Sequence, residues 1–190
     1  MKKLWQRMDS SSTIIGVVSL GETPALVQKV ITAHISGYYN LPARILGPWK
    51  HPDYAFDEQR LQYNAGTILK NIEALPSEGC FKIVGILNVD IFVPIFNHVY
   101  GEARQGGRHA IVSLHRLGHN LNGSSVAQTS LYDRAAKVAL HELGHLFNLQ
   151  HCDDQKCLMH FSGALADLDG LSFNLCRYCR TYFKDALFEA

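Results

Sequence analysis

The apolar and polar positions of the chain follow two alternating patterns over its first half. Apolar residues at helical spacing predict helices over 24–39 and 58–75. Short apolar, β-branched runs predict strands at residues 14–20, 43–47, 81–87 and 110–114. Residues 89–93 are expected to continue or pair with the third strand. Strands that alternate with helices predict an α/β fold, in which helices back a twisted mixed sheet.

The second half of the chain begins with a loop and ends in an irregular region. Residues 101–109 are Gly-rich and polar, which predicts a loop. A long helix is predicted up to about Leu146, capped by Thr129 or Ser130 and with Asp133 in its first turn.

The apolar pattern weakens after this helix. Residues 152–175 have few periodic apolar stretches, and a short helix is predicted near 176–188. We expect one domain over 1–190, with an N-terminal subdomain over about 14–151 and a small irregular C-terminal subdomain over 152–190.

Composition narrows the class of protein. With 47% hydrophobic and 18% charged residues, the 190-residue chain can bury a core. A net charge of +1 gives no electrostatic reason to expect nucleic acid as a partner. No window approaches the roughly 18 apolar residues of a membrane helix, and residues 1–16 contain no apolar stretch of signal-peptide length. We therefore expect a cytoplasmic protein, monomeric and without a membrane partner.

The sequence HELGH at 141–145 is the first candidate for chemistry. His141 and His145 are four positions apart on the predicted helix, so both imidazoles lie on one face and can bind one ion. Glu142 points about 100° away from His141 around the helix axis. It is therefore placed beside the metal, where it can act as general base on metal-activated water.

A third histidine lies six residues after the second. His151 reaches the same ion only if the chain turns sharply after the helix, and Asn148 stands where this turn must occur. Asn tolerates the left-handed backbone region better than most residues. Three protein ligands leave one position open, which is typical of a catalytic zinc site.

Four of the five cysteines cluster near the C-terminus. Cys152 and Cys157 form one pair, Cys176 and Cys179 a second, and Cys80 stands apart in an apolar segment. Four thiolates select zinc or an iron–sulfur cluster, and zinc is favoured because no redox motif accompanies them. Free core thiols, or a redox pair at 176 and 179, are the alternatives. Because Cys152 follows His151 directly, this site should also position the third histidine.

The segment HELGHLFNLQH at 141–151 resembles the metzincin motif His-Glu-x-x-His-x-x-Gly-x-x-His, with Asn148 in the glycine position. Met159 corresponds to the Met-turn methionine of that clan. The order of the cysteines around Met159, and the segments 92–103 and 113–117, resemble the archaemetzincin family over roughly residues 14–182.

This resemblance implies a metzincin-like zincin fold and a zinc-dependent peptidase. It implies two Zn²⁺ ions, one catalytic and one structural, and a peptide or protein substrate that pairs with an edge strand at 110–114. Several metzincin branches have a tyrosine just after the Met-turn methionine, whereas His160 and Phe161 follow Met159 here. His160 and Tyr178 are therefore the weak candidates for stabilising the oxyanion.

Other interpretations remain open from the sequence. The pentapeptide His-Glu-x-x-His also occurs in helices that bind no metal. A protein that keeps zinc only for its fold would be a catalytically silent peptide-binding or interaction module, although an intact Glu142 argues against it. The further histidines at 109, 115 and 119 fit loop or surface positions, and Glu102 and Arg116 fit solvated ion pairs.

Overall fold

The computed structural model of the protein describes residues 13–119 and 124–188. Residues 1–16, in which the sequence predicts no signal peptide, lie largely outside these ranges. The strands are β1 (Ile15–Ser19), β2 (Ala43–Ile45), β3 (Phe56–Asp57), β4 (Gln62–Asn64), β5 (Lys82–Leu87), β6 (Ile91–Val93), β7 (Phe96–Val99), β8 (Gly101–Ala103) and β9 (His109–Ser113). The α-helices are α1 (Ala25–His34), α2 (Ala65–Ile72), α3 (Gln128–Leu146), α4 (Leu165–Gly170) and α5 (Arg177–Phe188).

The main sheet has five strands in the order β2-β1-β5-β9-β8. The first four are parallel, and β8 is antiparallel to β9. All residues of β1, β5 and β9 are buried, as expected for parallel strands covered on both faces. Helices α1 and α3 pack against one face, and α2 packs against the other. The predicted α/β fold with a mixed sheet is confirmed.

The prediction that residues 110–114 form the edge of this sheet is wrong. Strand β9 is an interior strand between β5 and β8, and β8 is the outermost strand on this side. Strand β8 lies within the predicted loop at 101–109. Its three residues, of which Gly101 is one, give too short a pattern to recognise locally.

A second sheet was not predicted. Its four strands follow the order β3-β4-β6-β7 and are short. The helix predicted over 58–75 is therefore wrong in its first half, because Asn64 caps α2 by accepting a hydrogen bond from the Thr67 amide at 3.0 Å. Strand β6 pairs with β4 and β7, so residues 89–93 neither continue β5 nor pair with it.

The long helix α3 is the element that carries the motif at 141–145. It begins after Ala127, without a side-chain cap, so the predicted caps Thr129 and Ser130 lie inside its first turn. Asp133 lies in the second turn, where it forms an ion pair with Lys137 at 3.0 Å. The apolar side of the helix is buried as predicted: Ala135, Val138, Ala139, Leu140, Leu143 and Leu146.

The C-terminal segment is more ordered than its sequence pattern indicates. It contains α4, which was not predicted, and α5 near the predicted position. Its apolar residues join the same core cluster as α3 rather than forming a core of their own: Leu158, Met159, Leu165, Leu168, Leu171 and Leu175. The boundary between two subdomains at about residue 151 stays a prediction. Among the described residues, every helix is too short or too polar to cross a membrane.

Candidate metal centres and cleft

The two histidines of α3 face each other across one turn. His141 and His145 have their Nε2 atoms 3.1 Å apart. Each ring donates from Nδ1 to a backbone carbonyl at 2.8 Å, His141 to Leu158 and His145 to Leu149. A neutral imidazole protonated on Nδ1 has its lone pair on Nε2. Both lone pairs therefore point into the same space, as metal ligands do.

The chain turns back directly after α3. Asn148 has a φ of 68°, in the left-handed region, and the Leu149 amide donates to the Gly144 carbonyl at 3.0 Å. This turn brings His151 to the helical pair, with its ring centroid 5.3 Å from that of His141 and 4.8 Å from that of His145.

The protonation of the three histidines suits metal binding. Burial and the neighbouring His145 lower the pKa of His141 to about 3. Burial also lowers the pKa values of His145 and His151. All three rings are therefore neutral near pH 7, which is the form that binds a metal ion.

The spacing of the three ligands fits zinc. Their nitrogen atoms lie within 4.8 Å of one another. Two nitrogens bound to zinc at tetrahedral angles lie about 3.3 Å apart, close to the observed 3.1 Å between the two Nε2 atoms on α3. Two facing lone pairs at this distance repel each other unless a cation lies between them. The spacing of the three imidazoles is therefore compatible with a bound metal ion.

Glu142 lies beside this group, between α3 and β8. It is 7% exposed, and burial, reinforced by Glu102, raises its pKa. A Cβ atom added to Gly101 would lie 2.8 Å from Glu142 Oε1, so only glycine lets the carboxylate fit against β8. Within the described part of the chain, this carboxylate has no hydrogen-bond or ion-pair partner. It is therefore free to exchange a proton with a molecule in the cleft.

The three histidines and Glu142 lie in a cleft of about 550 Å³. One wall is the segment from β7 to β8, which presents Phe96, His98, Tyr100 and Glu102. The opposite wall is formed by residues 161–163 and by the buried leucines 168 and 171. The cleft is therefore lined by the free side of an edge strand and by the segment that follows Met159.

The four clustered cysteines form a second group of ligands. Their Sγ atoms also lie within 4.8 Å of one another, and those of Cys152 and Cys176 are 3.8 Å apart. Thiolates at tetrahedral angles around zinc, with Zn–S of 2.3 Å, lie about 3.8 Å apart. Cys157 and Cys179 are buried, and Cys152 and Cys176 are half-buried. With four sulfur ligands the group is closed, which is typical of a structural zinc site.

Met159 connects the two groups. Its carbonyl accepts a hydrogen bond from the Cys152 amide at 2.9 Å, and His160 Nδ1 donates to the Cys152 carbonyl at 2.8 Å. The Met159 side chain is fully buried beneath α3, where a Cβ added to Gly144 would lie 2.5 Å from its Sδ atom. The sharp turn at residue 159 therefore lies directly under the two helical ligands.

The other residues weighed in the sequence lie elsewhere. His160 is engaged with Cys152, and Tyr178 is 77% exposed on α5, away from the cleft-lining residues, so neither faces the cleft as an oxyanion donor. Arg116 forms a bidentate ion pair with Asp90, at 2.6 and 2.7 Å, as the solvated-pair interpretation predicts. Glu102, unlike Arg116, lines the cleft, and it forms no ion pair with another described residue.

Two aromatic side chains of the cleft were missed in the sequence. The rings of Phe96 and Phe161 come from opposite walls and lie 5.8 Å apart, and Phe161 also contacts His151. Their positions, 65 residues apart in the chain, carry no local pattern that connects them. Only the position of Phe161, two residues after Met159, was a usable signal.

Comparisons with known proteins agree with this geometry. The family model described as peptidase family M54 matches residues 25–185. The archaemetzincin of Pyrococcus abyssi is 36% identical over 172 residues, which cover 87% of this chain and 92% of that protein. The archaemetzincin of Pyrococcus furiosus is 33% identical over 180 residues, covering 92% and 94%.

Solved structures are similar over almost the whole chain. The crystal structure of archaemetzincin from Methanopyrus kandleri superposes with a TM-score of 0.83 at 31% identity, covering 94% of this chain and 97% of that one. A zinc-dependent peptidase from Methanocorpusculum labreanum gives a TM-score of 0.79 at 27% identity, covering 89% and 99%.

Proposed function

The chain belongs to peptidase family M54, the archaemetzincins, and from this premise we propose that it hydrolyses peptide bonds with Glu142 as general base. Family membership makes it a zinc metallopeptidase with a metzincin-like zincin fold, which acts on peptide or protein substrates. The observation that supports the finer assignment is the unpartnered, buried carboxylate of Glu142 next to three converging imidazoles.

The catalytic metal is proposed to be held by His141, His145 and His151. Zinc, when bound there, acidifies water and polarises the scissile carbonyl. Glu142 takes a proton from the attacking water and later gives it to the leaving amine.

The substrate is proposed to bind along β8. This strand is the outermost strand of the main sheet, and residues 101–103 line the cleft. An extended peptide can therefore add to the sheet by main-chain hydrogen bonds, with its scissile bond beside Glu142. Strand β9, to which the sequence assigned this role, already pairs on both sides and has no free edge.

The second metal ion is proposed to be a structural zinc bound by Cys152, Cys157, Cys176 and Cys179. The distance of 3.8 Å between two of the sulfur atoms supports this assignment. Met159 is proposed as the Met-turn residue, on the evidence of its burial under Gly144. Because cysteines in oxidising compartments usually form disulfides, four cysteines used as zinc ligands also support a cytoplasmic location.

The decisive experiment compares the wild type with Glu142→Gln on a peptide library. We expect the variant to keep both zinc ions, because glutamine preserves the shape of the side chain. Its rate of hydrolysis should fall about 10²–10⁴-fold, the usual contribution of a general base. The control is Glu58→Gln, which removes an exposed carboxylate outside the cleft and should leave the rate unchanged.

Two outcomes would contradict this proposal. A Glu142→Gln protein that cleaves the library at the wild-type rate would exclude Glu142 as the base. A wild type that binds two zinc ions and library peptides, but cleaves none of them, would instead support the catalytically silent binding module.

A further inference from the structure

The three proposed zinc ligands differ in what holds their rings. His141 and His145 each donate from Nδ1 to a backbone carbonyl at 2.8 Å. Such outer hydrogen bonds orient a ligand histidine and commonly change its metal affinity 10–100-fold. His151 is exposed, and its ring makes no hydrogen bond to any residue that the structure describes. The third ligand therefore lacks the support that the other two have.

An aromatic ring packs against the His151 imidazole. The ring centroid of Phe161 lies 5.3 Å from that of His151, with an interplanar angle of 69°. Such edge-to-face pairs have a preferred geometry, so the contact can fix the angle of the imidazole. Phe161 is itself 48% exposed, so burial in the core does not account for its position.

The backbone of Phe161 is tied to the segment that carries His151. The amide of Cys152 donates to the Met159 carbonyl, and His160 Nδ1 donates to the Cys152 carbonyl. These two bonds hold the residues before Phe161 next to the residue after His151. The turn therefore keeps the side chains of His151 and Phe161 near each other.

A contact across the cleft holds the Phe161 ring from its other side. Phe96 lies on β7, in the opposite wall, and stacks on Phe161 with centroids 5.8 Å apart and planes 30° apart. We propose that Phe161 is a positioning residue that orients the His151 imidazole for zinc, and that Phe96 keeps Phe161 in place. This inference rests on the three-histidine site proposed above and adds two residues to it.

The test measures the zinc affinity of each site separately. Zinc is withdrawn from the two-zinc protein by titration with a chromogenic chelator, and the ion that leaves first reports on the histidine site. Phe161→Ala should weaken this site at least about tenfold, as the loss of an outer partner does. The zinc of the cysteine site should bind as in the wild type, which also shows that the variant is folded.

Three further variants separate ring orientation from general packing. Phe161→Leu keeps an apolar side chain but lacks the ring, so it should also bind zinc more weakly at the histidine site. It replaces the alanine variant if that variant does not fold. Phe96→Ala should give a smaller loss of affinity, about threefold, because the bonds of Met159 and His160 to Cys152 still hold Phe161 near His151. Phe56→Ala is the matched control: its ring is as exposed as that of Phe96, at 43%, but packs on Tyr63 outside the cleft.

The cobalt-substituted proteins give a second readout that does not depend on activity. Their visible spectra report the number and geometry of the ligands, so a loosened His151 should change the spectrum of Phe161→Leu. Wild-type affinity and spectrum in both Phe161 variants would overturn the inference. A wild type that binds only the cysteine-site zinc would overturn the proposed histidine site, and the inference with it.

Discussion

The two candidate metal centres are joined by one peptide bond, between His151 and Cys152, and yet they are built differently. The cysteine centre brings together positions 24 apart in the chain and is closed by four sulfur ligands. The histidine centre takes two ligands from one rigid helix and opens into a cleft. The closed centre has the ligand set of a folding element, and the open one has that of a reactive site. We expect the closed centre to order the segment that brings His151 to the open one.

The comparison also separates two ways of holding the C-terminal segment. One is the cysteine centre, and the other needs no metal. Arg134 on α3, 6% exposed, forms a bidentate ion pair with Asp169 on α4, at 2.7 Å to both oxygens. Lys137 donates to the carbonyls of Leu168 and Asp169 at 3.2 Å. These contacts hold α4, and hence one cleft wall, against the metal helix independently of zinc.

Loss of one thiolate should have the largest effect. Structural zinc binding contributes about 10–16 kcal/mol in small zinc-dependent domains, and three ligands retain only part of it. We expect Cys176→Ala to lose the structural zinc, to unfold at lower temperature, and to bind the catalytic zinc at least about tenfold more weakly. Metal analysis and chelator titration measure both ions.

Cys80 provides a matched control. It is a buried cysteine in the cluster on the opposite face of the main sheet, packed away from both centres. Cys80→Ala removes a buried thiol too, but should leave both zinc affinities unchanged. If Cys176→Ala retains normal affinity at the histidine centre, the two centres are not coupled.

The turn between the helix and the third ligand should have an intermediate effect. Asn148 has a φ of 68°, a left-handed conformation that costs most residues with a Cβ about 1–2 kcal/mol and that asparagine tolerates better. Asn148→Ala should therefore lower the free energy of unfolding by about this amount and weaken the catalytic zinc. Asn148→Gly, which restores the usual metzincin residue, should leave both close to wild type.

Asn40 offers a control with the same strain in another place. Its φ is 55°, and it lies at the end of the π-helical turn Ile35–Tyr39, about 100 residues before the three histidines of the candidate site. Asn40→Ala should cost similar stability, measured by urea unfolding, without a change in zinc affinity. Equal losses of zinc affinity in both alanine variants would mean that strain acts on the whole fold, and not on the path to His151.

The grouping of the three histidines and of the four cysteines could be predicted, because the members of each group lie close together in the sequence or form closely spaced pairs. Positions 141 and 145 lie on the same side of any helix. Four cysteines in two closely spaced pairs indicate a metal site. The second sheet could not be predicted, because its strands are two to four residues long and its central pairing, of β4 with β6, joins Tyr63 to Ile91. Leu61, in the first turn of the predicted helix, even adopts a φ of 54°.

The residues of the cleft walls could not be predicted either, because they are brought together only by the fold. The edge position of β8 follows from its pairing with β9, and the contact between Phe96 and Phe161 exists only after both walls are folded. The leucines of residues 152–175 follow no helical or strand period, so the sequence pattern does not indicate what they pack against. They pack nevertheless, since α3 supplies the other side of their core.

The smallest expected effect concerns the metal-independent link. The hydrogen bonds from Arg134 lower the pKa of Asp169. A carboxyl whose pKa is lowered by folding adds stability above its unfolded pKa, near 3.8, and this stability is lost as the pH falls through the folded value. Because the Asp169 side chain is 47% exposed, the pH-dependent part should stay below about 1 kcal/mol.

Asp169→Asn removes this pH-dependent part and leaves both sets of metal ligands intact. Urea unfolding of the wild type and of Asp169→Asn should show a stability difference at pH 7 that shrinks as the pH falls below 4. Both proteins lose their metal ions in the same way at low pH, so this effect cancels in the difference. A difference that stays constant over this range would mean that the ion pair adds no pH-dependent stability. The cysteine centre would then be the main link between α4 and the metal helix, and the contrast between the two centres would be sharper than the contacts of Arg134 indicate.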